Sequence, residues 1–134
     1  MLLNTLLGQK TTQRPFTSRL LASPALGHNV THEAALLGLA NSIFVDDEVW
    51  TDAIDWSPRD SAKQGVDLDA LGRLQSLLVQ FRTAARGAGT TTVYFSHMRV
   101  PRDGYSSEEQ RIRLVGDYIH TKHGPTLHIH FLSE

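Results

Sequence analysis

The stretch from residue 68 to 97 constrains the fold most, because it reads as helix, glycine stop and strand in direct succession. Leu71, Leu74, Leu78, Phe81 and Ala85 recur at alternating spacings of three and four, which lines one face of a helix over 68–86. Asp67 suits its N-cap, Asp69 is favourable near the positive end of the helix dipole, and Arg82 and Arg86 sit where the negative end favours cations. Gly87 and Gly89 provide the stop. Thr91-Thr92-Val93-Tyr94-Phe95 follows as a strand with little alternation of polarity, the pattern of a strand covered on both faces. Ile43-Phe44-Val45 reads as an earlier buried strand, ending at Asp46-Asp47-Glu48. Strand, loop, helix and strand in that order make a parallel βαβ unit.

The rest of the chain is assigned around that unit. Residues 33–40 are apolar and unbranched and suit a short helix or a buried strand. Residues 51–67, polar and holding Pro58 and Gly65, read as an extended loop. Residues 99–113 read as a charged surface loop with a helical turn from Ser106. Gly116-Asp117 reads as a turn before a β-type stretch, Tyr118-Ile119-His120, and 126–132 alternates as a strand does.

Composition closes several routes. At 134 residues the chain is the size of one domain. It has no cysteine, which excludes disulfides, thiolate-ligated zinc, iron–sulfur clusters and a cysteine nucleophile. No apolar run reaches the roughly 20 residues that a membrane helix needs. A net charge of -1 gives no overall field for nucleic acid, and the ten arginines lie scattered among acids. The charge is uneven, however. Residues 1–32 hold Lys10, Arg14 and Arg19, seven Ser or Thr and no acid, whereas 33–134 carry 10 basic and 14 acidic side chains. This divides the chain into a basic N-terminal segment, 1–32, and an α/β domain, 33–134. The segment fits either a frayed terminus or an organelle transit peptide, so the expected location is cytoplasmic or, alternatively, mitochondrial.

Ligands of open α/β sheets bind beyond the carboxyl ends of the strands. Asp46 and Asp47 end one strand, Ser96 and His97 the next, and Lys122 follows the 118–120 stretch. A carboxylate near an ammonium in a partly dry cleft would shift both pKa values and provide a proton donor or acceptor beside a charge stabiliser. The same residues also fit plainer roles, the aspartates capping a turn and the lysine in solvent.

Phe81-Arg82-Thr83-Ala84-Ala85-Arg86-Gly87-Ala88-Gly89, Thr92-Val93-Tyr94-Phe95-Ser96-His97, Arg102-Asp103-Gly104-Tyr105 and Gly116-Asp117-Tyr118-Ile119-His120-Thr121-Lys122-His123 together resemble segments of the isochorismatase-like hydrolase superfamily. Ile43-Phe44-Val45-Asp46 is similar to the family's first strand and its catalytic aspartate. The resemblance implies an α/β three-layer sandwich with a mainly parallel sheet, left incomplete where this chain stops. It implies a hydrolase in which Asp46 (or Asp47) is the general acid/base and Lys122 the charge stabiliser, with His97 and Tyr105 lining the pocket. No cofactor or metal is expected. The missing cysteine closes the family's amidase branch and leaves its vinyl-ether branch, which needs only the acid and the lysine. A small-molecule substrate is expected, with no nucleic acid and no membrane, and the incomplete sheet favours a homo-oligomer or docking to a related subunit. Two other readings compete. One is a non-catalytic assembly module derived from that fold. The other is a metal-binding fragment, since His128-Ile129-His130 with Glu134 resembles the first metal motif of cupins.

Overall fold

The computed structural model describes residues 26–88, 92–121 and 124–133. Most of the basic N-terminal segment, Gly89, Thr91, Lys122, His123 and Glu134 lie outside the described residues.

Gly27 opens the described chain with φ near 85°, and a Cβ there would lie 2.3 Å from the carbonyl oxygen of Val45, so the chain can pass this strand only as glycine. A two-residue strand β1 (His28–Asn29) follows, then the short helix α1 (Thr31–Ala35). The Asn29 carboxamide oxygen accepts from the Thr31 amide (3.0 Å) and hydroxyl (2.6 Å), and Thr31 Oγ1 accepts from the Ile43 amide (3.0 Å). That chain of bonds ties α1 to β2 (Ser42–Val45). Asp46 then caps a helical run: one turn, α2 (Asp47–Val49), widens into a π turn over Trp50–Ile54. Ser57 and Asp60 form a reciprocal capping box at α3 (Pro58–Gln64). Burial opposes ionisation of Asp60, but hydrogen bonds from the Ser57 amide and hydroxyl, together with Arg102, hold its carboxyl below the usual carboxylate range. The 51–67 stretch is therefore mostly helical rather than an extended loop, because Ser57-Pro58 supplies a cap and a first-turn proline.

The long helix is α4 (Ala70–Ala88), with Asp69 Oδ1 accepting from the Gly72 amide at 2.7 Å. It buries Arg73, Leu74, Leu77, Leu78 and Phe81 and leaves Leu71 exposed, and it continues through Gly87. Three strands follow: β3 (Thr92–Arg99), β4 (Gln110–Thr121) and β5 (Gly124–Phe131).

These strands overturn the expected mainly parallel three-layer sandwich. The five-stranded sheet has the order β1-β2-β5-β4-β3, and among the described residues only β2 and β5 pair in parallel; every other neighbour is antiparallel. β2 and β3 run the same way, as a helical crossover requires, but β5 and β4 stand between them. The physical reason lies in 110–121, which forms a full strand rather than a loop and a turn. Ile112 and Leu114 alternate there with Arg111 and Arg113, and Gly116 and Asp117 sit mid-strand against Ile129 and His128. The long β4–β5 hairpin thus stands between β2 and β3, the two strands that the βαβ pattern would have paired.

The helices pack on one face. The core strand residues are Ile43, Val45, Val93, Phe95, Leu114, Leu127 and Ile129, all from that face, joined by Ala34, Val49, Ala53, Ile54 and the buried side of α4. Phe81 meets Phe95 edge-on (5.6 Å, 71°) and lies over Gly116, where a Cβ would stand 2.7 Å from its ring. Val93, Phe95 and His97 point into this core while Tyr94, Ser96 and Met98 are exposed, so β3 is covered on one face and not on two. Arg73, buried in the same layer, donates to the carbonyls of Ile54 (3.2 Å), Val100 (2.9 Å) and Asp52 (3.0 Å) and stacks 4.4 Å above Trp56. Burial, with the charges of Arg102 and Arg99, lowers its pKa to about 10. Among the described residues no helix is long and apolar enough to cross a membrane.

Candidate acid–base site

The opposite face of the sheet gathers titratable groups that are far apart in sequence. Alternation along β5 sends His128 and His130 to this face while Leu127, Ile129 and Phe131 face the helices. The β4–β5 register sets Asp117 across from His128 and Val115 across from His130. The parallel pairing ends with the Asp46 amide donating to the Ile129 carbonyl (2.9 Å), which brings Asp46 in from the other side.

The resulting string is Asp46, His128, His130, Asp117. His130 Nε2 lies 2.6 Å from Asp117 Oδ2, and its Nδ1 lies 2.9 Å from the Phe131 carbonyl oxygen. The carbonyl and the carboxylate are both acceptors, so a proton on either ring nitrogen of His130 has a partner within the protein. Thr92 Oγ1 donates to the other oxygen of Asp117 (3.1 Å) and fixes its orientation. His128 stands in a different environment. Its ring centroid is 5.1 Å from that of His130, its Nε2 is buried without a hydrogen-bond partner, and Asp46 Oδ1 stays 3.7 Å away. Burial and the charge of His130 lower its pKa, against the opposing pull of Asp46 and Asp117. One strand face therefore carries an imidazole with a buried, unpartnered Nε2 beside an imidazole whose two ring nitrogens both face acceptors.

Compared with known proteins, the chain matches no family model, no curated protein and no solved structure.

Of the residues singled out from sequence, Asp46 belongs to this string, though one of its oxygens also caps α2 by accepting from the Glu48 amide (3.1 Å). Asp47 points elsewhere, to His28 Nε2 at 3.1 Å, and His28 stacks flat on Trp50 (4.2 Å, 8°). Lys122 lies outside the described residues; Thr121 and Gly124, on either side of it, pair at the end of β5 remote from Asp46. His97 is buried on the helix face. Burial, then Arg73 and Arg99, lowers its pKa to about 4, and it lines a cleft of about 670 Å³ between β3 and α4. Tyr105 is exposed in the β3–β4 connection with the Lys63 ammonium 6.0 Å from its ring, and it does not join His97 or Asp46. Asp117 was hidden in sequence because a Gly-Asp pair reads as a turn; its place opposite His128 follows only from treating 110–121 and 124–131 as one hairpin. Among the described residues no three His, Asp or Glu side chains converge as a metal set. Both nitrogens of His130 are already engaged within the protein, which leaves the His-x-His pair poorly set up to ligate an ion.

Proposed function

We propose that the chain is a hydrolase of the acid–base type, in which His128 takes a proton and His130 gives one. The observation that carries this reading is the unlike pair of imidazoles on one strand face, one with a buried Nε2 that has no hydrogen-bond partner and one held against Asp117. Asp46 keeps part of the role expected of it, since its Oδ1, 3.7 Å from His128 Nε2, stabilises the cation formed when His128 accepts a proton. Asp117 and Thr92 hold His130. The isochorismatase-like reading loses its support in the fold, since the sheet is mixed and mostly antiparallel, with one parallel pair, rather than mainly parallel.

The test is turnover of a panel of chromogenic carboxylic esters and phosphodiesters in EDTA. The expected result is a bell-shaped pH dependence, with His128→Ala and His130→Ala each lowering kcat/KM by about a hundredfold or more. Background rates across the panel from the folded wild-type chain would sink the proposal.

A second reading rests on β3. It is the last strand of the sheet among the described residues, and its outward side chains Tyr94, Ser96 and Met98 are exposed. Edge strands of this kind pair with other copies. Light scattering on the purified chain tests it: a dimer that Met98→Lys converts to monomer supports assembly, and a monomer at every concentration removes it.

A further inference from the structure

His97, which the acid–base reading leaves unused, stands where two clefts adjoin. The cleft of about 670 Å³ between β3 and α4 is one. The other, of about 650 Å³, is lined by Arg73, Arg99, Val66 and Leu68 as well as by His97. Gly72, Ser76, His97, Met98 and Glu109 border both, so the two make one groove beside β3, the last strand of the sheet among the described residues. His97 is 4% exposed, and its Nδ1 is buried without a hydrogen-bond partner. Arg99, two residues on, lies on the same face of β3. Its Nε and Nη2 donate to the two carboxylate oxygens of Asp52 (2.9 and 3.1 Å), and its Nη1 is buried without a partner. Buried polar groups are rarely left unpaired, and here two of them belong to neighbouring inward positions that line one cleft. Arg73 lines it too and gives its donors to three carbonyls, so this end of the groove holds two guanidiniums against the one carboxylate of Asp52.

We infer that the groove binds a small organic monocarboxylate, whose oxygens accept from Arg99 Nη1 and from the His97 ring. The charge count sets this class. A carboxylate is acceptor-only and carries the single negative charge that the guanidinium surplus calls for. A neutral amide or alcohol would leave that surplus unmatched. A dianion would exceed it and would also meet Asp67, Asp69 and Glu109, which are exposed along the same cleft. His97 suits a donor's part because burial, then Arg73 and Arg99, keep it uncharged at neutral pH, and an uncharged imidazole still has one N–H to give. Ala53, Val66, Leu68, Met98 and Val100 supply apolar wall for the organic body. The site lies on the helix face of the sheet, opposite the His128 and His130 pair, and stands or falls independently of the acid–base reading.

The experiment titrates the full chain with benzoate, followed by calorimetry and by the NMR resonances of the His97 ring and the Arg99 guanidinium. Benzyl alcohol, benzylamine and phenyl phosphate are run alongside. Benzoate is expected to bind with a Kd of about 1 mM or below and to move both sets of resonances. The alcohol, the amine and the phosphate should each bind at least about tenfold more weakly. Arg99→Lys keeps a cation beside Asp52 but loses the forked guanidinium, and His97→Gln replaces the ring; each should weaken benzoate about tenfold. Glu109→Gln, at an exposed position, should tighten phenyl phosphate more than benzoate, which a purely structural role for the groove would not produce. The wild-type resonances read the site even where a variant fails to fold. Resonances of His97 and Arg99 that stay fixed up to about 10 mM benzoate, the spare nitrogens then being met by water, overturn the inference. So does benzoate binding no tighter than benzyl alcohol or phenyl phosphate, or binding unchanged in the folded Arg99→Lys and His97→Gln variants.

Discussion

Gly116 is where the two halves of the structure can be tested against each other, since one side of it receives the ring of Phe81 and its strand neighbours Val115 and Asp117 face the candidate site. An alanine Cβ there would lie 2.7 Å from Phe81 Cε1 and 3.3 Å from Leu127 Cδ1. Phe81 is 1% exposed and wedged against Phe95, so its ring can yield only by disturbing a packed neighbour. Overpacking a core by a methyl costs about 1–3 kcal/mol. The smaller conformational entropy of alanine in the unfolded chain offsets about 0.4–1 kcal/mol of that. Gly116→Ala should therefore destabilise by about 1–2 kcal/mol, which for a domain of this size lowers Tm by about 3–10 °C. Phe81→Leu alone should cost up to about 1.5 kcal/mol and should make the alanine tolerable, so the double variant is expected to be no less stable than Phe81→Leu. Urea unfolding followed by far-UV circular dichroism and by the fluorescence of Trp50 and Trp56 measures all three. A Gly116→Ala midpoint equal to or above wild type, or strictly additive effects in the double variant, would refute the packing of α4 across the β4–β5 hairpin.

Three further perturbations follow from the same geometry. Gly27→Ala combines a left-handed φ with a backbone clash at Val45 and should cost about 3 kcal/mol or more in a urea titration. Arg73→Met leaves three carbonyls, two of them in buried hydrogen bonds, without their donor and should destabilise by about 3 kcal/mol, with Arg73→Lys recovering only part because an ammonium lacks the planar fork. His97 is kept neutral in the fold, its pKa lowered to about 4 from an ordinary 6.5. Between those values the unfolded chain binds a proton that the folded chain does not, so its contribution is complete above pH 6.5 and is lost as pH falls toward 4. The loss totals about 3 kcal/mol below that range. Urea midpoints at pH 7, 5.5 and 4.5 should fall more steeply for wild type than for His97→Phe; parallel slopes would show that another group governs acid stability.

The helix over 68–86 and the strands at 43–45, 91–95 and 126–132 were legible because apolar periodicity is a local property, and each lies within a few residues of its observed element. Strand pairing is not local. Ile43-Phe44-Val45 and the helix-linked Val93-Tyr94-Phe95 run the same way in the sheet, as the βαβ pattern required, yet nothing in either segment says whether they touch. That depends on whether another hairpin competes for the edge of β2, and the competitor was disguised. In 110–121 the outward positions hold Arg111, Arg113 and Asp117, and Gly116 sits among the inward ones because Phe81 needs the space. A glycine beside an aspartate imitates a turn, and two arginines imitate a loop, so the longest strand of the sheet reads as surface. The same substitution of function for propensity hid the site. A strand whose open face needs only to be covered would carry residues that favour strands there, whereas this one carries Asp117 in register with His128, and Val115, in register with His130, lies between Arg113 and Asp117. The positions where local propensity misleads are thus those that the acid–base proposal uses, as expected when residues are chosen for what they face rather than for the element they build.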